Sequence, residues 1–356
     1  GRLVLEDGAV FYGKSFGAQK EVMGEIVFNT AMGAYQDILT NPSYYGQIVN
    51  FTNPHLGNCG INQNQMVSHP VKLTALLARE YLENFSHPEG TCSLQDFLIK
   101  EQIPALFDLD TRKLARKIRN HKTLKGILSF NPSLSVEDLV HKIKNHSFTL
   151  QEADLKFVST QEKKVFKAQN KQKFKVAVYD YGMKPSFIEN LTLRECELTL
   201  FPYNTPSAEL LNPEFHGIFL SNGPGNPENF TQSIKNIQNL IGKKPLFGVG
   251  LGHQLLNLAL GAKTYLLSDG HRGANQPIKD LRFQKSFIAT ENHGYGVETK
   301  TLPSFITITH LNLNDNSIEG IEYQEKKCFS VQFYPENYLD LKENHPLNQF
   351  IKWMEH

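Results

Sequence analysis

From Phe174 to Val249 the sequence repeatedly switches period, and this is the strongest constraint on what it can fold into. Short β-rich runs at Phe174–Tyr179, Glu197–Phe201, Gly217–Leu220 and Pro245–Val249 alternate with helical stretches. The helical stretches are Pro185–Leu193 and a segment whose Ile234, Ile237, Leu240 and Ile241 are spaced for a helix face. Near-continuous apolar runs suit strands buried on both faces, and strands joined through helices run parallel. The pattern predicts an α/β, doubly wound, mostly parallel sheet. Such sheets bind ligands at the carboxyl ends of their strands, so chemistry is expected in the loops that follow strands.

At 356 residues the chain exceeds what one such core needs, and two domains are expected. Residues 1–145 read as α+β. Strand-like runs at Leu3–Leu5, Val10–Tyr12, Ile26–Phe28 and Ile48–Phe51 open this half, with Asp7-Gly8 as a hairpin signal between the first two. Helical patterns follow at Val71–Phe85, Ser93–Glu101 and Thr111–Asn120, the last with Asp110 available as a cap. Residues 146–173 are rich in Lys, Gln and Asn without a sustained apolar period and read as a solvated linker. The second domain is then 174–356.

Composition excludes several classes. Lys+Arg 37 against Asp+Glu 36 leaves a net charge of +1, with no basic excess to recommend nucleic acid. No apolar run approaches the roughly 20 residues needed to cross a bilayer, and no signal sequence precedes the first strand. The chain starts at Gly1, which is compatible with a trimmed start, tag or fusion. Cys59, Cys92, Cys196 and Cys328 lack CxxC spacing, so neither a metal site nor a disulfide framework is expected. All four are expected to be buried structural thiols in a reducing compartment. That compartment is the cytoplasm, or the mitochondrial matrix if a transit peptide was removed.

Three strand-end loops carry possible chemistry. Leu220-Ser221-Asn222-Gly223-Pro224-Gly225-Asn226-Pro227 has two glycines whose amides can approach an anionic oxygen, although a plain turn would read the same. Phe247-Gly248-Val249-Gly250-Leu251-Gly252-His253-Gln254 has the wrong spacing for a dinucleotide fingerprint. It fits a G-x-nucleophile-x-G elbow, with Gly250 in the nucleophile position. Phe329–Glu336 ends a third strand with Tyr334-Pro335-Glu336.

Together these loops resemble class I glutamine amidotransferases. Leu5-Glu6-Asp7-Gly8, the stretch Tyr35–Tyr44, Pro54–Asn58, Asp110–Leu114, Arg272–Pro277 and Glu291–Tyr295 are similar to the carbamoyl phosphate synthetase small subunit. The resemblance implies a subunit that hydrolyses glutamine and passes ammonia to a large synthetase subunit, which makes carbamoyl phosphate. ATP and Mg²⁺ are expected only on that partner, and no cofactor on this chain. The implied machinery is a cysteine nucleophile, a histidine base and a glutamate that orients the base.

Carried over by position, the nucleophile falls on Gly250, the base on Tyr334 and the orienter on Glu336. Glycine has no nucleophilic atom, and a tyrosine with an ordinary pKa near 10 is protonated at neutral pH. Loss of nucleophile or base costs about 10⁶-fold in turnover, so the glutaminase is expected to be absent or nearly so. The resemblance further implies oxyanion donors at Leu251 and Gly225. It implies glutamine-binding positions at Ser43, Gly223, Gly225, Leu251, Gln254, Asn292, Gly294 and Tyr295, so weak glutamine binding is expected. His253 and His293 are expected to be structural or pocket-lining. The segment Asn337–Asp340 departs from the family's small, proline-rich pattern. Vertebrate urea-cycle synthetases, whose amidotransferase domain also lacks the cysteine, are similar in this respect. Three readings stay open: a non-catalytic subunit of an ammonia-using synthetase, a glutamine-binding regulatory module, or an engineered inactive variant.

Overall fold

The computed structural model describes residues 1–32, 35–62, 71–121, 123–337 and 345–355. The chain divides into two compact units, Gly1–Thr149 and Leu150–His356.

In the first unit the strands are β1 (Arg2–Leu5), β2 (Val10–Tyr12), β3 (Lys14–Ser15), β4 (Val22–Asn29), β5 (Gln47–Phe51), β6 (Ala75–Leu77), β7 (Ala105–Phe107) and β8 (Lys125–Ser129). Among the described residues they form one sheet in the order β2-β1-β8-β4-β5-β6-β7-β3. Helices α1 (Tyr35–Thr40), α2 (Leu94–Lys100), α3 (Thr111–His121) and α4 (Val136–Asn145) accompany it. The Asp7-Gly8 turn joins β1 to β2, with Gly8 at φ +85° and Ala9 N–H donating to Asp7 Oδ1 at 3.1 Å. Asp110 caps α3 by accepting from Lys113 N–H at 2.8 Å. The expected helix at Val71–Phe85 is not formed: Ala75-Leu76-Leu77 is a fully buried parallel strand between β5 and β7. A short apolar run gives no periodicity to tell a buried strand from a buried helix, and sheet burial decides.

The second unit contains β9 (Lys164–Phe166), β10 (Phe174–Asp180), β11 (Cys196–Pro202), β12 (Gly217–Leu220), β13 (Leu246–Val249), β14 (Thr264–Asp280), β15 (Lys285–Val297), β16 (Thr307–Asn312), β17 (Ile318–Tyr323) and β18 (Cys328–Val331). Its helices are α5 (Pro185–Leu193), α6 (Ser207–Leu210), α7 (Thr231–Leu240), α8 (Leu251–Ala259) and α9 (Pro346–Met354). At the centre β18, β13, β12, β10 and β11 run parallel. Alternate residues feed two cores: Val176, Val178, Phe219 and Phe247 pack on one side, Ala177, Tyr179, Ile218 and Leu246 on the other. Both faces are buried, which is why these strands read as apolar runs.

An antiparallel arm, β15-β14-β16-β17, extends this centre through β18. The sequence reading contains no trace of the arm, because its long strands are polar and interrupted by glycines. The expected linker is also more structured than its composition implies. β9 pairs antiparallel with β11 at the opposite edge, and Leu155 is buried against Tyr179, Tyr181 and Phe230. A polar edge strand needs few apolar residues to hold its place. Among the described residues, no helix is long and apolar enough to cross a membrane.

Candidate functional site

The three motif loops of the second unit converge at the carboxyl ends of β12, β13 and β18. The elbow between β13 and α8 has Gly250 at φ +59°, ψ −114°, its N–H donating to Val331 O at 3.0 Å. Its three glycines serve different purposes. A Cβ on Gly252 would lie 2.3 Å from Leu220 O, and one on Gly248 2.6 Å from Gly252 O, so backbone contact excludes side chains at both. A Cβ on Gly250 would lie 3.2 Å from Asn222 Cβ and 3.7 Å from Tyr334 Cε1, which leaves nearly enough room. The left-handed backbone there strains any L-residue and leaves glycine unstrained.

Tyr334 is buried, its N–H donating to Thr290 O at 2.9 Å and its ring edge-on to Phe187 at 5.9 Å. Lys184 Nζ lies 5.4 Å from the centre of that ring. The same ammonium donates to Glu336 Oε1 at 3.0 Å, and Ser186 Oγ donates to that oxygen at 2.9 Å. The Lys184 and Glu336 side chains are 4% and 2% exposed, so this is a buried ion pair. Glu336 Oε2 has no partner among the described residues. The carboxylate at the expected orienter position is thus held by an ammonium and a hydroxyl. Lys184 sits just before α5, in a turn fixed by Asp180 Oδ1, which accepts from Gly182 and Met183 N–H at 2.9 and 2.7 Å. Asn222 Oδ1 accepts from Lys184 N–H at 2.9 Å and ties this turn to the loop after β12.

The remaining expected positions divide between the units. Leu251 opens α8, where the first amides have no acceptor within the helix. Gly225 has φ +99°, and a Cβ on Gly223 would lie 2.3 Å from Tyr181 O. Gln254 Nε2 donates to Tyr295 O at 2.8 Å and to Gln332 Oε1 at 3.0 Å, tying α8 to β15. Asn292, Gly294 and Tyr295 follow one another along β15, and Asn292 Nδ2 is buried without a partner among the described residues. Ser43 lies in the first unit, buried in a 3₁₀ turn where its N–H donates to Asn41 Oδ1 at 3.0 Å.

His253 is fully buried and bonded to Ser330 Oγ at 2.8 Å; burial lowers its pKa to about 3 and keeps the ring neutral. His293 is also buried on β15, and burial lowers its pKa as well. The thiols of Cys196 and Cys328 are buried and pushed up to about 12 and about 11 by desolvation. The expectation for the other two fails: Cys59 is exposed and Cys92 partly so. Both lie in a loop-rich stretch whose sparse apolar residues give little cover. Asn337 ends the third loop, and Tyr338–Asp340 lie outside the described residues.

Sequence reasoning missed Lys184 and Ser186, and gave Asn222 no role within its motif loop. The signal was present, since Tyr181–Lys184 is the loop after the first parallel strand, where ligand groups are expected. What it lacked was any mark of which side chain turns inward.

Comparison with known proteins follows the same division. Residues 3–128 match the family described as carbamoyl-phosphate synthase small chain, CPSase domain. Residues 177–353 match glutamine amidotransferase class-I. The chain is 44% identical over 337 residues to a carbamoyl phosphate synthase small chain of Clostridium acetobutylicum, covering 94% of each. It is 41% identical to the corresponding chain of Clostridium perfringens, covering 99% of each. It is 40% identical to a chloroplastic small chain of Oryza sativa subsp. japonica, covering 94% of this chain and 78% of that one.

Proposed function

Because the chain belongs to the carbamoyl-phosphate synthase small-chain family, we propose that it pairs with a large synthetase subunit as a small subunit without glutaminase activity. The observation carrying this reading is the pairing of a side-chain-less elbow, Gly250, with the buried Tyr334 ring beside it. Glutaminase chemistry begins with a thiolate attacking the side-chain amide carbon and a base relaying its proton to the departing ammonia. Neither group is present at those positions, and Glu336 is engaged by Lys184 and Ser186 instead of an imidazole. The ammonia consumed by the synthetase would then come from solution, with ATP and Mg²⁺ on the partner.

Glutamine recognition is proposed to persist in weakened form. Main-chain donors at Leu251 and Gly225 survive loss of the catalytic side chains. Gly223, Gln254, Asn292, Gly294 and Tyr295 keep the identities expected of glutamine contacts. The unpartnered Asn292 amide favours a ligand there.

The test is reconstitution of the full chain with a large subunit, assayed with glutamine and separately with ammonium. Carbamoyl phosphate formation from ammonium alone, with a stable complex, is expected. Glutamine-dependent synthesis at a rate comparable to the ammonium reaction would sink the proposal. Absence of any complex would leave the glutamine-binding module as the better account.

A further inference from the structure

Four side chains of the antiparallel arm meet at one point: His271 on β14, Glu291 and His293 on β15, and Glu319 on β17. One ligand atom from each lies within 4.8 Å of the other three, and all four residues are buried. His271 Nδ1 is 3.0 Å from Glu291 Oε2 and 3.6 Å from Glu319 Oε1. His293 Nε2 is 3.1 Å from Glu291 Oε2 and 3.8 Å from Glu319 Oε1. We infer that these four residues form a structural site for a divalent transition-metal ion, Zn²⁺ in the first instance.

Geometry and chemistry both favour this. Four N/O ligands about 2.0–2.1 Å from a zinc ion stand about 3.3 Å apart in a tetrahedron, and the distances above bracket that value. Each imidazole turns its other nitrogen to an acceptor: His271 Nε2 to Asp315 Oδ2 at 3.1 Å, His293 Nδ1 to Tyr295 O at 2.9 Å. Such outer contacts place the proton outside and leave a lone pair facing inward, as in metal-bound histidines. Two anionic carboxylates and two neutral imidazoles around M²⁺ are electrically neutral, whereas without a metal the buried carboxylates have only protons on the neighbouring imidazoles for counter-charge. Glu291 Oε1 and Glu319 Oε2 are buried without a partner among the described residues, on side chains with 0% exposure.

The fold explains why the sequence did not announce the site. His271 and His293 are directly paired across the β14–β15 hairpin, Glu291 shares His293's face two residues earlier, and Glu319 arrives from β17 beyond β16. No ligand spacing in sequence resembles a metal motif, and the expectation of no metal rested on cysteine spacing alone. The ion would pin the hairpin that carries Asn292, Gly294 and Tyr295. This inference does not depend on the fate of the glutaminase.

The test uses the full chain, stripped with a chelator and titrated with Co²⁺ as a spectroscopic probe. Intense visible bands of tetrahedral coordination are expected to saturate at one equivalent, without a sulfur charge-transfer band, and one equivalent of Zn²⁺ should abolish them. Glu319→Gln should remove the tetrahedral spectrum. Asp315→Asn, a conservative change at a half-exposed outer contact, should weaken metal affinity about 10–100-fold. If Glu319→Gln does not fold, the wild-type spectrum and Asp315→Asn decide. Failure to take up Co²⁺, a weak octahedral spectrum, or unchanged affinity in Asp315→Asn would each overturn the inference.

Discussion

Tyr334 Cε1 stands 3.7 Å from where a Cβ on Gly250 would project, so the residues at the expected base and nucleophile positions face each other directly. The two positions keep their proximity, and on the reading proposed above neither supplies the expected chemistry.

Restoring both residues should therefore restore turnover in part. Gly250→Cys alone and Tyr334→His alone are expected to stay near the parent's background, since triad members act as a unit. The double variant is expected to gain at least about 100-fold in ammonia release from glutamine, measured with the large subunit present. A full return is not expected while Lys184 and Ser186 occupy Glu336 Oε1. A double variant no faster than either single one would show that the pocket has decayed beyond the triad.

The elbow glycines should differ in their tolerance of a side chain. Gly250→Ala meets only a tight contact and a left-handed backbone, and is expected to lose about 1–3 kcal/mol. Gly252→Ala places a methyl 2.3 Å from a backbone oxygen and should lose more than that, through displacement of α8 from β12. Urea denaturation of the two variants provides the comparison, and the reverse ranking would contradict the roles assigned here.

The Lys184–Glu336 pair should behave as one buried unit. Removing either charge leaves the other uncompensated, at about 3–5 kcal/mol. Lys184→Met with Glu336→Gln should lose less than the sum of the single changes. A double-mutant cycle measured by denaturation reads this coupling, and simple additivity would argue against it.

Acid should weaken the second unit through its buried histidines. Burial lowers His253 to about 3 and His345 to about 4. Below the unfolded value near 6.5 the unfolded chain takes up these protons and the folded chain does not. Stability should fall as pH drops from 6.5 towards 4, by up to about 1.4 kcal/mol per pH unit for each histidine. Denaturation midpoints at pH 7 and pH 5 give the slope, and His253→Gln should flatten it. An unchanged slope in that variant would mean that His253 titrates normally.

Much of this was legible in the residues. Near-continuous apolar runs announced the parallel strands, because burial on both faces leaves no polar alternation. The strand-end loops announced the site, because a doubly wound sheet opens there. The arm from Thr264 to Tyr323 stayed hidden, because half-exposed antiparallel strands carry polar residues and glycine interruptions. Val71–Phe85 misled for the opposite reason, since complete burial at Ala75–Leu77 erases the period that separates strand from helix. Cys59 and Cys92 misled because a residue type's usual burial says little about a particular loop.

By itself, the sequence determined the family resemblance and which residues stand at Gly250 and Tyr334, for these are properties of residue identity: glycine carries no sulfur atom and tyrosine no imidazole in any fold. Only the tertiary structure decided what holds Glu336, which glycine has room for a side chain, and that His271, Glu291, His293 and Glu319 share one point. Lys184 and Glu336 lie 152 positions apart, and strand order and register bring them to 3.0 Å. Contacts of that kind are set by packing over the whole sheet, and no local pattern encodes them.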